Sequence, residues 1–157
     1  MADASFLDGE PGALALRAED ATDLGILSAL VQDAVLTVDQ LSWDAKGRTL
    51  ALLLNRFRWE DADLAEREGR PFERVRSLLV VQDVRRLQSD GIDRDPETVL
   101  ELLTLEWQPG EDGTGRLLLN FAGDGTLAAD AECINVDLRD VTRPYVAPSG
   151  KKPGHQD

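Results

Sequence analysis

The stretch Val35–Trp59, VLTVDQLSWDAKGRTLALLLNRFRW, decides the fold class because its hydrophobic pattern has a period of two. Alternate side chains of a strand point to one face, so this period predicts extended chain on both sides of the turn Asp44–Gly47. We therefore expect a β-hairpin with a leucine-rich second strand. In the first half of this hairpin, one face of the strand carries Val35, Thr37, Asp39, Leu41 and Trp43.

Four later segments continue the β pattern and are separated by turn residues. Their spacing of about ten residues favours an antiparallel sheet. One of them follows Asp95-Pro96, which also suits the start of a helix, but its alternation favours a strand. The segments are RVRSLLVVQDVRRL, TVLELLTLEW, GRLLLNFA and TLAADAECI. We predict an α+β fold with a strongly curved antiparallel sheet or barrel.

Three segments are candidates for helices. Asp20 can accept the N–H groups of a first turn, and an apolar face follows it, which predicts an N-terminal amphipathic helix. Residues 60–71, EDADLAEREGRP, predict a solvated loop or a short exposed helix. Residues 132–141, ECINVDLRDV, fit a strand as well as a helix, and we favour a C-terminal helix that plugs an open barrel end. The apolar face after Asp20 consists of Leu24, Leu27, Leu30 and Val31.

The two ends of the sequence lack hydrophobic periodicity. We predict a flexible leader over 1–12, a single globular domain over 13–145 and a disordered tail over 146–157. The acidic start does not suit a signal peptide, and the longest apolar runs fall far short of the roughly 20 residues that span a membrane. Cys133 is the single cysteine, so an internal disulfide is excluded. A soluble cytoplasmic protein is expected.

The charge is strongly negative and unevenly distributed. The net charge is −13, yet residues 46–94 hold eleven bases and nine acids. A field of this sign repels nucleic-acid backbones and anionic lipid, so we predict neither nucleic-acid nor membrane binding. The central third is where cationic side chains concentrate.

Four segments in sequence order resemble a bacterial family known as domain of unknown function 2948. They are LSALVQDAVL, LLLNRFRWE, FERVRSLLVVQDVRRLQSDGID and AECINVDLRDV, and the resemblance extends from Leu14 to about Val141. It implies a single domain and brings no activity and no site residues with it. Separately, strands followed by a closing helix look like a pleckstrin-homology-type roll, an analogy that implies no function.

The residues that usually carry catalysis are poorly placed. His155, the single histidine, lies in the predicted tail, where fixed geometry is not expected. Cys133 is flanked by Glu132 and Asp137, which raise a thiol pKa, so we predict a small buried apolar residue. We predict no cofactor and assign no catalytic residue, although nothing in the sequence selects or rules out an acid–base pair among its thirty acids. Whether the chain is an enzyme is left open, and a non-catalytic role is favoured.

Two loops have superficial likeness to ligand sites. Gly110, Gly113 and Gly115 lie in a loop that leads into a strand, whereas a phosphate cradle leads into a helix, so a hairpin loop is expected. The second loop clusters acids but does not match the spacing of a calcium loop, and we predict a solvated turn without a metal. Its acids are Asp90, Asp93, Asp95 and Glu97.

The arginines of residues 52–61, LLLNRFRWED, are the strongest binding candidates. As a strand this stretch places Leu54, Arg56 and Arg58 on one side, and Asn55, Phe57 and Trp59 on the other. Pairing with the next strand would bring Arg74 and Arg76 close to the first two arginines. Two interpretations follow: a solvated face neutralised by nearby acids, or a site for an anion or an acidic partner. The candidate site comprises Arg56, Arg58, Arg74, Arg76, Asn55 and Trp59, and the neutralising acids are Glu60, Asp61, Asp63, Glu66, Glu68 and Glu73.

The leading functional hypothesis is a small, non-catalytic domain that binds a protein partner through these strands or a sheet edge. The alternative is an anionic-ligand binding protein or enzyme with a site at the mouth of the roll, in which Arg56 and Arg58 hold the ligand and Asn55 or a carboxylate assists. A structural homo-oligomer is the third hypothesis, and the sequence leaves the oligomeric state open. Trp43, Trp59 and Trp107 are expected to cap or rim the core.

Overall fold

A computed structural model describes residues 13–154. Within that range the chain forms one eleven-stranded sheet and two α-helices. The helices are α1 (Ala21–Leu30) and α2 (Trp59–Glu68). The strands are β1 (Ala15–Ala18), β2 (Ala34–Thr37), β3 (Leu41–Asp44), β4 (Thr49–Phe57), β5 (Glu73–Val81), β6 (Val84–Asp90), β7 (Val99–Pro109), β8 (Gly115–Phe121), β9 (Thr126–Ala131), β10 (Val136–Asp140) and β11 (Tyr145–Val146). The predicted leader and His155 lie outside the described residues.

The sheet is antiparallel throughout and is open. Its strands follow the order β1-β10-β5-β4-β2-β7-β8-β9-β6, with β3 paired to β4 and β11 paired to β5. The α+β class and the large antiparallel sheet are therefore confirmed. The sheet does not close on itself, so the ends of its path are β1 and β6.

The predicted hairpin is present, with a break in its first half. β3 and β4 pair from Leu41 opposite Leu52 to Asp44 opposite Thr49. A 3-10 helix, Val38–Gln40, interrupts the first half, because the amide of Thr37 bonds the side chain of Gln40 in a capping box. The first half is therefore two short strands, β2 and β3.

Helix α1 begins where the sequence predicted. The Asp20 carboxylate accepts a 2.8 Å hydrogen bond from the Asp23 amide, which satisfies an orphan N–H of the first turn. Leu24 and Leu27 are buried in the core. Ser28 Oγ accepts the Leu105 amide at 3.0 Å, next to a bulge in β7, so α1 is bonded to the sheet through a polar contact as well.

The predicted C-terminal helix is wrong, because residues 136–140 form strand β10. Val136, Leu138 and Asp140 are buried in alternation, and β10 lies between β1 and β5. A central position between two strands satisfies the backbone on both sides, which outweighs the helical spacing of the same apolar residues. The second helix is α2, in the segment predicted as a loop or short exposed helix, and it ends at Gly69, whose φ of 67° is left-handed.

The core lies on one face of the sheet, which we call the inner face, and α1 packs against it. It draws alternate residues from β2, β4, β5, β7, β8, β9 and β10, most of them leucine. The strand prediction for TVLELLTLEW is confirmed by β7, whose Leu102 is buried. A continuous apolar face of this kind accounts for most of the folding free energy.

The C-terminal segment continues the fold past Tyr145. β11 pairs with the start of β5, and the Ala147 amide donates to Phe72 O at 2.8 Å. Ala147 is buried. The division of the chain into leader, domain and tail stays a prediction. In the described range, neither helix has the length and apolar character needed to cross a membrane.

Candidate functional site on the arginine-bearing strands

The register of β4 against β5 separates the four candidate arginines onto two faces. Asn55 lies opposite Arg76 and Phe57 opposite Arg74, whereas Arg56 lies opposite Val75. Because side chains alternate, Arg74 and Arg76 share the outer face with Asn55, and Arg56 points to the inner face. The two strands pair as predicted, but their arginines do not meet.

Arg56 lies at the buried centre of a polar network. Its side chain is fully buried, and its Nε donates to Ser77 Oγ at 2.9 Å. Nη1 and Nη2 bond the Glu60 carboxylate at 2.9 and 2.7 Å. Nη2 also bonds Asp140 Oδ1 at 2.9 Å, and Nη1 bonds Phe57 O at 3.3 Å.

These contacts use all the donors of the guanidinium. An arginine has five N–H groups, and the five bonds of Arg56 account for each of them. Burial lowers the pKa of Arg56, but the hydrogen bonds and charges of Glu60 and Asp140 outweigh it and hold that pKa above its ordinary value. Arg56 is thus a charged cross-link between β4, β5, β10 and α2, with no donor left for a ligand.

Arg58 precedes α2 and is also surrounded by carboxylates. Its Nη1 bonds the Glu73 carboxylate and lies 3.5 Å from Asp61. Asp61 in turn accepts two hydrogen bonds from Arg70, which hold the pKa of Asp61 below its ordinary value. The neutralising acids expected from the sequence are present, but Arg56 and Arg58 are buried where a solvated face was expected.

On the outer face, Arg74 and Asn55 form a pair. Arg74 Nε donates to Asn55 Oδ1 at 2.7 Å and Nη2 to Asn55 O at 2.9 Å. Half-burial lowers the pKa of Arg74, and the neighbouring Tyr145 and Asp33 oppose that shift. Arg74 therefore links the start of β5 to the end of β4 by hydrogen bonds, in addition to carrying charge.

Arg76 differs from the other three arginines. It is half-buried on the outer face, and no carboxylate of residues 13–154 forms an ion pair with it. Its β5 neighbour two residues on is Leu78, which lies between Leu53 of β4 and Arg139 of β10. Arg76 thus combines an available guanidinium with an adjacent apolar surface.

A groove of about 530 Å³ continues from Leu78 along the outer face. Leu78 and Val80 form its floor, and a salt bridge of 3.1 Å between Arg17 and Asp137 lies along it. Its lining includes Ala15, Leu16, Arg17, Leu78, Val80, Asp137 and Arg139. We call this surface, together with Leu53 and Arg76, the basic groove.

The three tryptophans were expected to cap or rim the core, and of these Trp107 is the one that packs against the core cluster. Trp59 begins α2 rather than ending a strand, stacks edge-on against Phe57 at 4.7 Å and donates its indole N–H to Gln32 O at 2.9 Å. Trp43 on β3 is 36% exposed, and it therefore covers the core less than the other two tryptophans do.

The remaining sequence candidates are resolved by local geometry. Cys133 is exposed, which corrects the prediction of a buried residue, and partial desolvation together with a contact to Asp83 raises its pKa. The glycine loop is the expected β7–β8 hairpin, in which Gly110 N bonds Thr114 O. Asp93 and Asp95 accept backbone amides within their own loop. Over residues 13–154, no three acidic, histidine or cysteine side chains are grouped so as to hold a metal.

Ser77 and Asp140 are the site residues that sequence reasoning did not select. They are buried beside Arg56, and their Oγ and Oδ1 atoms lie 2.7 Å apart. The alternation of β5 places Ser77 on the core face between Val75 and Leu79, so its position was readable. The position of Asp140 on the core face could not be predicted, because its segment was assigned to a helix.

The fold defines this chain as an α+β domain with one open antiparallel sheet and a buried arginine network at the end of its core. A family model described as a protein of unknown function, DUF2948, matches residues 14–155, and the chain belongs to that family. A search of the curated proteins and a search of the solved structures found no match.

Proposed function

We propose that this domain is a non-catalytic protein-interaction module whose basic groove binds an acidic segment of another protein. The observation that carries the proposal is the combination of Arg76, which has no ion pair within the described chain, with the half-exposed apolar side chains of Leu78 and Val80. An interface core of this kind joins apolar anchors to an arginine that bonds a carboxylate bidentately.

Charge complementarity favours an acidic occupant with apolar anchors. In a chain of net charge −13, a surface that presents the guanidinium of Arg76, unpaired within the described part of the chain, attracts acidic segments locally. The overall negative field opposes a densely charged nucleic-acid backbone more strongly than a protein segment with a few carboxylates. The strand spacing also suits an extended segment, whose alternate side chains would reach the groove floor.

The alternative function has less support. It places an anionic ligand on Arg56 and Arg58. Such a ligand needs free guanidinium N–H groups, and the five of Arg56 are bonded to protein. Displacing Asp140 would leave a buried carboxylate without its cation, which costs several kcal/mol, about 3–5. The basic groove carries no such cost.

The test compares capture by the tagged full chain with capture by Arg76→Glu and by Arg94→Glu. Arg94 is exposed in the loop after β6, so its variant makes the same charge change away from the groove. We expect a stoichiometric partner that is retained by wild type and by Arg94→Glu and is lost from Arg76→Glu. The purified partner should then protect amides of β5 and β10 from hydrogen exchange.

Three results would oppose the proposal. One is a captured set that is identical for all three proteins, and another is protection that falls on a different face. The third is capture of this chain alone with a dimer in light scattering, which would favour the homo-oligomer. A thermal unfolding midpoint for Arg76→Glu close to that of wild type confirms that the loss is local.

A further inference from the structure

A second cluster of arginines lies at the far end of the sheet, remote in the strand order from the basic groove. It belongs to strands β6, β7, β8 and β9 and contains Arg85, Arg86 and Arg116. The sequence did not single out these arginines, because Arg116 lies 30 positions after Arg86 and in a different strand.

A β-bulge explains how two consecutive arginines reach one surface. The pairing of β6 with β9 shifts between Val84 and Arg86, so that Arg85 is the extra residue. A bulge of this kind interrupts the alternation and redirects a side chain. Arg85 and Arg86 consequently line the same pocket, on the face opposite to the buried Val84.

The register of the other strands places Arg116 beside them. Asp130 of β9 lies between Arg86 of β6 and Arg116 of β8, and Gln108 of β7 follows in the same row. Arg116 Nε is 2.7 Å from Asp130 Oδ1, and Arg86 Nε is 3.7 Å from Oδ2. Both contacts are made through Nε, so neither occupies a terminal nitrogen of the two guanidinium groups.

The charges of this pocket are not balanced by its own residues. Its lining holds three guanidinium groups and a single carboxylate, that of Asp130. The side chain of Arg85 has no hydrogen bond or ion pair with any residue between 13 and 154. Like charges brought together by a sheet destabilise it unless an anion lies among them, and a dianion would neutralise the two remaining charges.

The pocket has the volume and the donors for a phosphate. It is an open depression of about 510 Å³, whose lining also includes Gln108 and Thr114 of the β7–β8 hairpin. Arginine forms bidentate hydrogen bonds with tetrahedral oxyanions. The volume exceeds that of phosphate alone, so a phosphoryl group attached to a small organic molecule also fits.

We propose that Arg85, Arg86 and Arg116 form a binding site for a soluble phosphate dianion, either inorganic phosphate or the phosphoryl group of a small phosphomonoester. This site is independent of the basic groove, so either can fail without the other. A soluble source is favoured over a lipid headgroup because the net charge of the chain opposes approach to an anionic membrane.

The test is a titration of the full chain, followed by backbone amide NMR shifts, with sodium phosphate and then glycerol 1-phosphate. Sodium chloride at matched ionic strength is the salt control. We expect saturable shifts at residues 85, 86, 110 and 116. Arg85→Gln and the double variant Arg85→Gln/Arg116→Gln should weaken binding by about tenfold or more, while Arg94→Gln leaves it unchanged.

Sedimentation with phosphatidic acid vesicles distinguishes the source of the phosphate. Saturable binding of free phosphate without co-sedimentation supports the proposal. Chloride shifts of the same size, binding unaffected by Arg85→Gln, or co-sedimentation without any saturable effect of free phosphate would each overturn it. Arg85→Gln keeps the test valid if the double variant is unstable, because Arg85 supports no described contact.

Discussion

Arg56 and Asp140 are 84 positions apart in the chain, yet Nη2 of the arginine lies 2.9 Å from Oδ1 of the aspartate. The side chains are 0% and 2% exposed. Asp140 also accepts hydrogen bonds from Ser77 Oγ and, through Oδ2, from the Leu14 amide. The pair therefore joins the start of the described chain, β10, β5 and β4 at the end of the core.

Arg56→Met should destabilise the protein by about 3–5 kcal/mol, because it leaves the Asp140 carboxylate buried without its cation. Urea unfolding at pH 7 measures the loss, and Arg76→Met on the outer face is the matched control, with a change within about 0.5 kcal/mol. The double variant Arg56→Met/Asp140→Leu should recover part of the loss, since an apolar pair can replace a buried ion pair. A loss below about 1 kcal/mol for Arg56→Met would contradict the structural role of the network.

The bond between Asp61 and Arg70 should make stability depend on pH in the acid range. Arg70 lowers the pKa of Asp61 in the folded protein. The contribution of this pair to the free energy of unfolding is therefore fully present above the pKa of Asp61 in the unfolded chain, about 3.9. It is lost as the pH falls through the lower pKa of the folded state. The difference in unfolding free energy between wild type and Asp61→Asn should thus be largest near pH 7 and shrink below about pH 4. Asp63→Asn on the exposed side of α2 is the control, and a difference that grows toward acid would refute the assignment.

Cys133 should react slowly despite its exposure. The raised pKa, to which Asp83 contributes, reduces the thiolate fraction at neutral pH. A free thiol has a pKa of about 8.5, and the pH midpoint for alkylation of Cys133 by iodoacetamide should lie above that value. The midpoint should be lower in Asp83→Asn than in wild type. Asparagine tolerates the positive φ of position 83.

Asp124→Asn provides the control for that experiment, since Asp124 also has positive φ but lies in the β8–β9 turn. Equal midpoints for Asp83→Asn and wild type would show that the carboxylate does not act on the thiol.

Two glycines should respond in opposite ways to alanine. A Cβ at Gly115 would lie 2.3 Å from the Trp107 ring and 2.6 Å from Gln108 O, so Gly115→Ala should cost about 1–3 kcal/mol through displacement of the hairpin. A Cβ at Gly25 in α1 meets no atom within 4 Å, and Gly25→Ala should stabilise by about 0.5–1 kcal/mol. Thermal and urea unfolding of both variants would check the pair, and a stable Gly115→Ala would disprove the clash.

Elements that depend on interactions between residues close in the sequence were predicted correctly, and elements that depend on distant pairing were not. α1 was predictable because the Asp20 cap and the apolar face of Leu24 and Leu27 are local. The strand β10 was mistaken for a helix because Ile134, Leu138 and Val141 have helical spacing, and only pairing with β1 and β5 selects the extended form. The same limit applies to α2, whose Ala62 and Ala65 become an apolar face only when they are buried.

By itself the sequence determined the class of the fold, the hairpin of β3 and β4, the strand nature of β7 and the central concentration of basic residues. These follow from periodicity and turn residues, which act over a few positions. The tertiary structure alone decided which arginine is buried. Register sends Arg56 into the core and Arg76 to the surface, and a bulge brings Arg85 beside Arg116. The physical reason is that the facing of a strand side chain depends on its pairing partner, and a partner distant in sequence leaves no local signal.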